Sequence, residues 1–277
     1  MTPDPSRFTK RLAGICLAAT AFATVAPSAR AVPVDLELYL AADVSGSIDA
    51  ADFGLQRAGF AAAFQSAAVQ AAIANGAIGS IAVKLVDFAN TVVTAVDWTF
   101  INDAASANAF AAQILLAPRG LPGGNDGQSN LIDTALADLN GNAFEGTRRV
   151  LDIASEGAQD IDGCSFDNVN CPTVQAARDN FLANGGSAIN AIWLNDRNFF
   201  GLDPTDTINA FEYGSLNVIG GAGSFQTFAA NFDAFAPAIA AKIQREVEGI
   251  PEPGVLALLG LGLAALASAR RRGAAQA

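Results

Sequence analysis

Short apolar stretches alternate with segments of helical periodicity along most of the chain, and this alternation restricts the fold more than any other feature. Apolar stretches such as 36–42 and 188–194 are separated by segments such as 50–74, where apolar residues recur at helical spacing. Buried strands that alternate with helices form a mostly parallel sheet with helices on both faces. We therefore predict one doubly wound, Rossmann-like α/β domain with six strands, over residues 32–249.

The individual elements follow from the same pattern. We predict strands over residues 36–42, 81–85, 92–98, 149–154, 188–194 and 216–219. We predict helices over residues 50–74, 104–116, 129–139, 172–183 and 228–247. The turn between the second and third strands is too short for a crossover, so the third strand should pair antiparallel at the sheet edge.

The charge distribution and composition exclude several function classes. The formal net charge is -11, and residues 32–269 alone carry 9 basic and 26 acidic side chains, a net charge of -17. Such a surface repels phosphate backbones and attracts cations, so no nucleic-acid partner is expected. The chain also contains no His. This absence excludes His-based zinc sites and Ser-His-Asp triads, and we do not expect an enzyme.

The N-terminal residues have the pattern of a secretory signal peptide. Basic residues at 7–11 precede an apolar run over 12–26, and Ala29-Arg30-Ala31 follows as a small-residue cleavage pattern. We predict a signal peptide over residues 1–31 and a mature chain that starts at Val32. The alternative is an N-terminal anchor helix, although the run is shorter than the roughly 20 residues that a span needs.

The C-terminal residues contain a second targeting pattern. Pro251, Glu252 and Pro253 precede an apolar run over 255–269 and a cluster of three Arg. This order resembles the PEP-CTERM sorting signal of Gram-negative bacteria, here over residues 250–277; an ordinary tail anchor is the alternative. The resemblance implies an exosortase-type processing enzyme and transient anchoring in the inner membrane by a transmembrane helix. The protein would end in the periplasm, on the outer surface or in the extracellular matrix.

Two cysteines remain after removal of the predicted signal peptide. Cys164 and Cys171 lie close together in an acidic loop. Outside the cytoplasm an even pair predicts a disulfide, with two free thiols as the alternative.

The candidate site lies where the first predicted strand meets the first helix. The segment Asp43-Val44-Ser45-Gly46-Ser47 offers a carboxylate and two hydroxyls. Open parallel sheets bind ligands at the carboxyl ends of their strands, and hard oxygen ligands suit Mg²⁺, Mn²⁺ or Ca²⁺. The alternative is an ordinary helix N-cap, formed by Ser47 or Asp49.

The D-x-S-x-S order after an apolar strand resembles the metal-ion-dependent adhesion site (MIDAS) of von Willebrand factor type A domains. In that family a Thr before a later helix and an Asp after the fourth strand complete the site. Here Ser129 and Glu156 stand at those positions. The resemblance implies that a divalent cation, Mg²⁺ first and Ca²⁺ or Mn²⁺ as alternatives, is held by Asp43, Ser45, Ser47, Ser129 and Glu156.

The resemblance extends beyond the site. The segments 148–153, 176–179 and 218–225, followed by a Phe-rich last helix, are similar to an uncharacterised, exported bacterial branch of von Willebrand factor A-like proteins. The similarity covers about residues 33–248.

These observations favour an exported, surface-directed binding or adhesion module, whose cation captures a partner carboxylate. The partner would be a protein or an acidic exopolysaccharide. One alternative is a structural surface or matrix protein whose metal site has decayed through the changes at Ser129 and Glu156. A metal-assisted hydrolase is less favoured, because no nucleophile-plus-base spacing is present.

Overall fold

A computed structural model describes residues 30–249, apart from 166, 197 and 198. The chain divides into two compact units between Arg30 and Ala31, and the architecture below is that of the second unit. Nearly all of the predicted signal peptide, and all of the predicted sorting segment with its apolar helix, lie outside the described residues. Within the described part of the chain, no helix combines the length and apolarity that a membrane crossing requires.

The described residues form eleven strands and seven α-helices. The strands are β1 (Val32–Val34), β2 (Leu36–Asp43), β3 (Ile81–Phe88), β4 (Val92–Ile101), β5 (Phe144–Gly146), β6 (Arg149–Ser155), β7 (Ala188–Leu194), β8 (Phe200–Gly201), β9 (Ile208–Asn209), β10 (Gly220–Gly221) and β11 (Gln226–Ala229). The helices are α1 (Ala50–Gln65), α2 (Ala67–Ala74), α3 (Ala104–Leu116), α4 (Gln128–Gly141), α5 (Pro172–Ala183), α6 (Ala210–Tyr213) and α7 (Phe235–Glu248).

Seven of the strands form one central sheet. Its order is β10-β7-β6-β2-β3-β4, with β11 also paired to β7. β2 pairs parallel with both β3 and β6, and β7 pairs parallel with β6 and β11. Only β4 and β10 run antiparallel within this sheet, and β4 forms the expected edge hairpin with β3. The mostly parallel α/β architecture predicted from the sequence is confirmed.

Side chains that alternate along the strands build a core on each face of the sheet. On one face Leu38 and Leu40 of β2 belong to a cluster with residues of α1, α2, α3 and α7, including Phe60 and Ile239. On the other face Tyr39 belongs to a cluster with residues of α4 and α5. The helices therefore form two layers, as expected for a doubly wound domain.

Near the end of the domain, the structure differs from the strand that the sequence predicted. Residues 216–219, predicted as the last strand, lie mostly in a π-helical turn, Gly214–Val218. The buried side chain of Asn217 holds this turn: it donates to the carbonyls of Val169 and Tyr213 and accepts from the Cys171 amide. β10 and β11 take the predicted strand's place, so the sheet has seven strands and not six.

Two predicted helices also differ from the observed ones. The helix predicted over 50–74 is broken at Ser66, whose extended backbone ends α1 and whose hydroxyl caps α2 by accepting from the Val69 amide. The last helix begins at Phe235, because Phe228 lies in β11 and residues 232–234 form a 3₁₀ turn.

Candidate functional site

The candidate site lies at the carboxyl ends of two neighbouring parallel strands. β2 ends at Asp43 and β6 ends at Ser155, and the two strands pair over most of their length. The chain leaves β2 through α1 toward β3 on one side, whereas it leaves β6 through α5 toward β7 on the other. Connections that depart in opposite directions open a crevice between the strand ends, where α/β proteins commonly bind ligands.

Asp43 is the fixed centre of this crevice. Its side chain is fully buried, and one carboxylate oxygen accepts from the Ser45 amide at 2.8 Å. The other oxygen accepts from the Ser155 hydroxyl at 2.7 Å, while the Gln56 side chain donates to the Asp43 carbonyl. These contacts attach the first strand-helix loop to the end of β6.

The two serines of the D-x-S-x-S segment lie beside Asp43. The hydroxyl oxygens of Ser45 and Ser47 are 3.3 Å apart. The N-cap of α1 is Asp49, which accepts from the amides of Ala51 and Asp52 at 2.7 and 2.9 Å. The helix cap is therefore formed by Asp49, and the Ser47 hydroxyl is not needed for it.

Glu156 reaches the same crevice from β6. Its side chain is buried and interacts with the Ser47 hydroxyl, while one carboxylate oxygen, Oε1, has no hydrogen-bond partner among the described residues. Burial raises the pKa of Glu156 to about 7, and the negative charges of Asp43, Asp196 and Asp52 act in the same direction. The hydrogen bond from Ser47 opposes this shift.

The structure adds a carboxylate that the sequence analysis missed. Asp126 lies in the Gly-rich loop before α4, and its amide donates to Asp160 at 3.0 Å. Burial raises the pKa of Asp126 well above its ordinary value, and the charge of Asp43, a side-chain hydrogen bond with Asp43, and the charges of Asp160 and Glu156 add to the effect. The Asp126 oxygen Oδ1 is buried without a hydrogen-bond partner in the described part of the chain.

Glycines allow Asp126 to come this close. A Cβ on Gly157 would lie 2.2 Å from an Asp126 carboxylate oxygen, so a side chain at position 157 would displace that carboxylate. Gly124 has a φ of 136°, and its carbonyl accepts from the Gly46 amide at 2.8 Å. The sequence signal was an Asp between a Gly pair and the start of a helix, which alone does not distinguish a ligand from a loop residue.

Ser129 makes different contacts from the other four predicted site residues. It lies in the first turn of α4, and its amide donates to the Gln159 side chain at 2.7 Å. The preceding Gln128 donates to the Gly157 carbonyl, so this helix start is attached to the loop after Glu156. No described contact joins the Ser129 hydroxyl to Asp43, Ser45, Ser47 or Glu156.

Two cavities open beside these residues. One, of about 330 Å³, is lined by Ser45, Ser47, Asp126, Asp160 and Asp196 among others. The second, of about 480 Å³, shares Ser47 and Asp196 and is also lined by Glu156. Among residues 30–249 as described, no group of three or more His, Cys, Asp or Glu side chains could hold a metal ion. A cation site here therefore needs serine hydroxyls as well as carboxylates.

The predicted disulfide is present next to this site. Cys164 and Cys171 are bonded, with their Cα atoms 5.1 Å apart. Cys171 is buried and directly precedes α5. The bond therefore closes the loop that follows Asp160.

Comparison with protein families assigns most of the chain. The family described as "Protein of unknown function (DUF1194)" matches residues 33–251. The chain belongs to this family. The PEP-CTERM protein-sorting motif matches residues 249–272, as the C-terminal pattern predicted. This motif indicates an exported protein of a Gram-negative bacterium that is anchored transiently in a membrane.

Solved structures resemble the chain at the level of the fold. Proximal thread matrix protein 1 from the mussel byssus has a TM-score of 0.51 at 13% identity, covering 79% of this chain and 49% of that protein. The pilus adhesin SpaC from Lactobacillus rhamnosus GG has a TM-score of 0.51 at 14% identity, covering 78% of this chain and 30% of that one. The chain thus spans half or less of either protein. No curated protein matches the sequence significantly.

A von Willebrand factor type A protein from Catenulispora acidiphila also matches, with a TM-score of 0.48 at 11% identity over 78% of this chain and 43% of that one. The mostly parallel α/β fold predicted from the sequence is confirmed by the sheet order and by the likeness in fold to the byssal and pilus proteins.

Proposed function

We propose that this protein is a non-catalytic binding module of the bacterial exterior, which binds a divalent cation in the crevice between β2 and β6. The observation that supports it is the meeting of Asp43, Asp126 and Glu156 beside two serine hydroxyls. Two of these carboxylates have a raised pKa, and each of those two has a buried oxygen without a hydrogen bond. Buried like charges repel, and a cation relieves that repulsion.

The residues fit such an ion by their chemistry. Carboxylate and hydroxyl oxygens are the ligands of Mg²⁺, Mn²⁺ and Ca²⁺, and we propose Mg²⁺ first. Ser45, Ser47 and Ser129 would provide hydroxyls, while Asp43, Asp126 and Glu156 would provide charge directly or through water. A bound cation would attract a carboxylate of the partner.

The protein's own charge bears on the partner. The net charge of -17 over residues 32–269 repels an acidic partner at long range. Binding of a protein carboxylate or an acidic exopolysaccharide would therefore depend on the cation. The resemblance in fold to a byssal matrix protein and a pilus adhesin supports a role in adhesion or in an extracellular matrix.

The first test is isothermal titration of the purified chain with Mg²⁺, Mn²⁺ and Ca²⁺, with Asp43→Ala as the variant. We expect binding by the wild type and none by the variant. Absence of binding by the wild type at millimolar concentration contradicts the proposal and favours a structural protein with a decayed site.

The second test uses a carboxylate-bearing polysaccharide gel as the probe. An acidic protein should pass through this gel in chelator and be retained in Mg²⁺. Equal elution under both conditions would contradict the capture of carboxylates, even where the titration shows cation binding.

A further inference from the structure

A second group of charged side chains lies on the opposite side of β6 from α4 and α5, sealed under α7. Asp152 in the middle of β6, Lys242 and Glu246 on α7, and Asn190 on β7 are all at most 3% exposed. Asp152 and Asn190 are direct partners in the sheet register, so both side chains project from the same face. This group is separate from the crevice and has no role in the proposed cation binding.

The contacts within this group place an amine between two carboxyl groups. The Lys242 Nζ contacts Asp152 Oδ1 and lies 2.7 Å from Glu246 Oε1. The same Glu246 oxygen accepts a hydrogen bond from the side-chain Nδ2 of Asn190 at 2.8 Å, and this bond orients the Glu246 carboxylate. Asn190 in turn accepts from the Phe225 amide at 2.9 Å.

The surroundings exclude water. The Lys242 Nζ lies 5.4 Å from the centre of the Phe225 ring, and the Arg245 guanidinium lies over the same ring with its Cζ 3.7 Å from the centre. Burial and the charge of Glu246 raise the pKa of Asp152 well above its ordinary value, against the effect of Lys242. Two carboxylates beside one ammonium hold a net buried charge, which favours transfer of a proton to Asp152.

We propose that Lys242 and Asp152 are a site of spontaneous intramolecular amide formation, with Glu246 as the proton-transfer group. A nucleophilic amine, an electrophilic carboxylic acid and a positioned carboxylate in a water-excluded core are the components that such a reaction requires. The product would be an isopeptide bond between α7 and the central strand of the sheet.

The reaction balances without any co-reactant. One proton passes from the Lys242 ammonium to the Asp152 carboxylate, which gives an uncharged amine and a carboxylic acid. The Nζ lone pair attacks Cγ of Asp152, and Glu246 accepts a proton from Nζ. Glu246 then returns this proton to the Asp152 hydroxyl, which leaves as water while the carbonyl forms again. The chain loses one water, and the buried charges of Lys242 and Asp152 are replaced by a neutral amide.

The position of the bond gives it a mechanical purpose. α7 is the last described helix and directly precedes the matched sorting motif, while β6 lies near the centre of the sheet. A covalent bond between them would keep the domain folded under tension applied through its C-terminal segment.

Tryptic peptide mapping of the reduced full chain tests this proposal. Trypsin cuts after Arg149, Arg178, Arg197 and Arg245, and it does not cut after an acylated lysine. We expect peptide 150–178 joined to peptide 198–245, with a mass lower by one water than the sum of the two. Fragmentation should place the bond at Asp152 and Lys242.

Three other results would overturn the assignment. Cleavage after Lys242 with both peptides at full mass means that no bond forms. Loss of ammonia instead of water means that Asn190 is the acceptor. A water loss confined to peptide 150–178 is an internal dehydration.

Two variants distinguish an effect on bond formation from an effect on folding. Glu246→Gln keeps the lysine and the acid, and we expect it to slow bond formation by about a hundredfold or more. Lys242→Met should give no joined peptide; should this variant fail to fold, the wild-type map and Glu246→Gln still decide. Lys84 is the internal control: it contacts Asp138 at 2.7 Å, but Asp138 is about one-third exposed, and this pair should remain unjoined.

Discussion

The two clusters of acidic side chains in this domain begin four residues apart in the sequence, at Asp152 and at Glu156. They differ in how their negative charge is balanced. Asp152 meets Lys242 in a sealed core, so its charge is balanced from within the protein. Glu156 meets Asp43 and Asp126 beside open cavities, and the charged groups that shift its pKa most, Asp43, Asp196 and Asp52, are all acidic. A cluster that contains its own cation needs nothing from solvent, whereas one without it favours an external cation.

The largest expected effect follows from the removal of Lys242, the cation inside the sealed cluster. Lys242→Met removes this cation and with it the proposed amide, so Asp152 and Glu246 face each other in the core, and we expect a loss of at least about 3–5 kcal/mol in the free energy of unfolding. Urea denaturation measures this loss. Because the cluster is sealed, added Mg²⁺ should not restore stability to the variant. Restoration by millimolar Mg²⁺ would show that the two clusters do not differ as argued.

The next effect is a pH dependence of the metal-free protein. The folded-state pKa of Glu156 is raised from 4.5 to about 7, so the folded state holds a proton that the unfolded state releases. Stability in chelator should therefore fall as the pH rises through this window, by about 3 kcal/mol in total. Thermal denaturation at several pH values checks this. Glu156→Gln should flatten the dependence, and an unchanged slope in that variant would assign the effect elsewhere.

Asp43→Ala tests the need for an external cation. At a Mg²⁺ concentration one hundred times the Kd, the wild type should gain about 2.7 kcal/mol of stability. The variant should gain none, although it also loses hydrogen bonds to Ser45 and Ser155. Ser155→Ala is the matched control, since it removes one of those bonds and keeps the carboxylate. A Mg²⁺ response in Asp43→Ala equal to that of the wild type would exclude this crevice as the binding site.

The sequence was sufficient for the parts of the fold that depend on periodicity. The buried strands β2, β3, β6 and β7 are strongly apolar, and their positions and parallel direction followed from that pattern. The strand predicted over 216–219 was wrong because a single polar side chain, Asn217, bonds three backbone groups, two of them more than forty residues away, and such bonds leave no periodic signal. Short strands such as β10 depend on the neighbouring strand and not on their own residues.

The candidate site was predictable only where residues are adjacent in sequence. Asp43, Ser45 and Ser47 form a local motif, and family resemblance added Glu156. Asp126 was missed because its importance arises from contacts with Asp43 and Asp160, which the chain topology brings together from distant positions.

The smallest expected effect is a difference in Mg²⁺ affinity between two variants, one at Asp126 and one at Ser129. Asp126→Asn keeps the shape of the side chain and removes its charge, so it should weaken Mg²⁺ binding by about tenfold or more, equivalent to about 1.4 kcal/mol. Ser129→Ala removes a hydroxyl that has no described contact with the other site residues, so its effect should be smaller. Titration of both variants beside the wild type measures the difference. A larger loss in Ser129→Ala would mean that cation binding draws the start of α4 toward Asp43. The ligand position implied by the family resemblance would then contribute more to binding than Asp126.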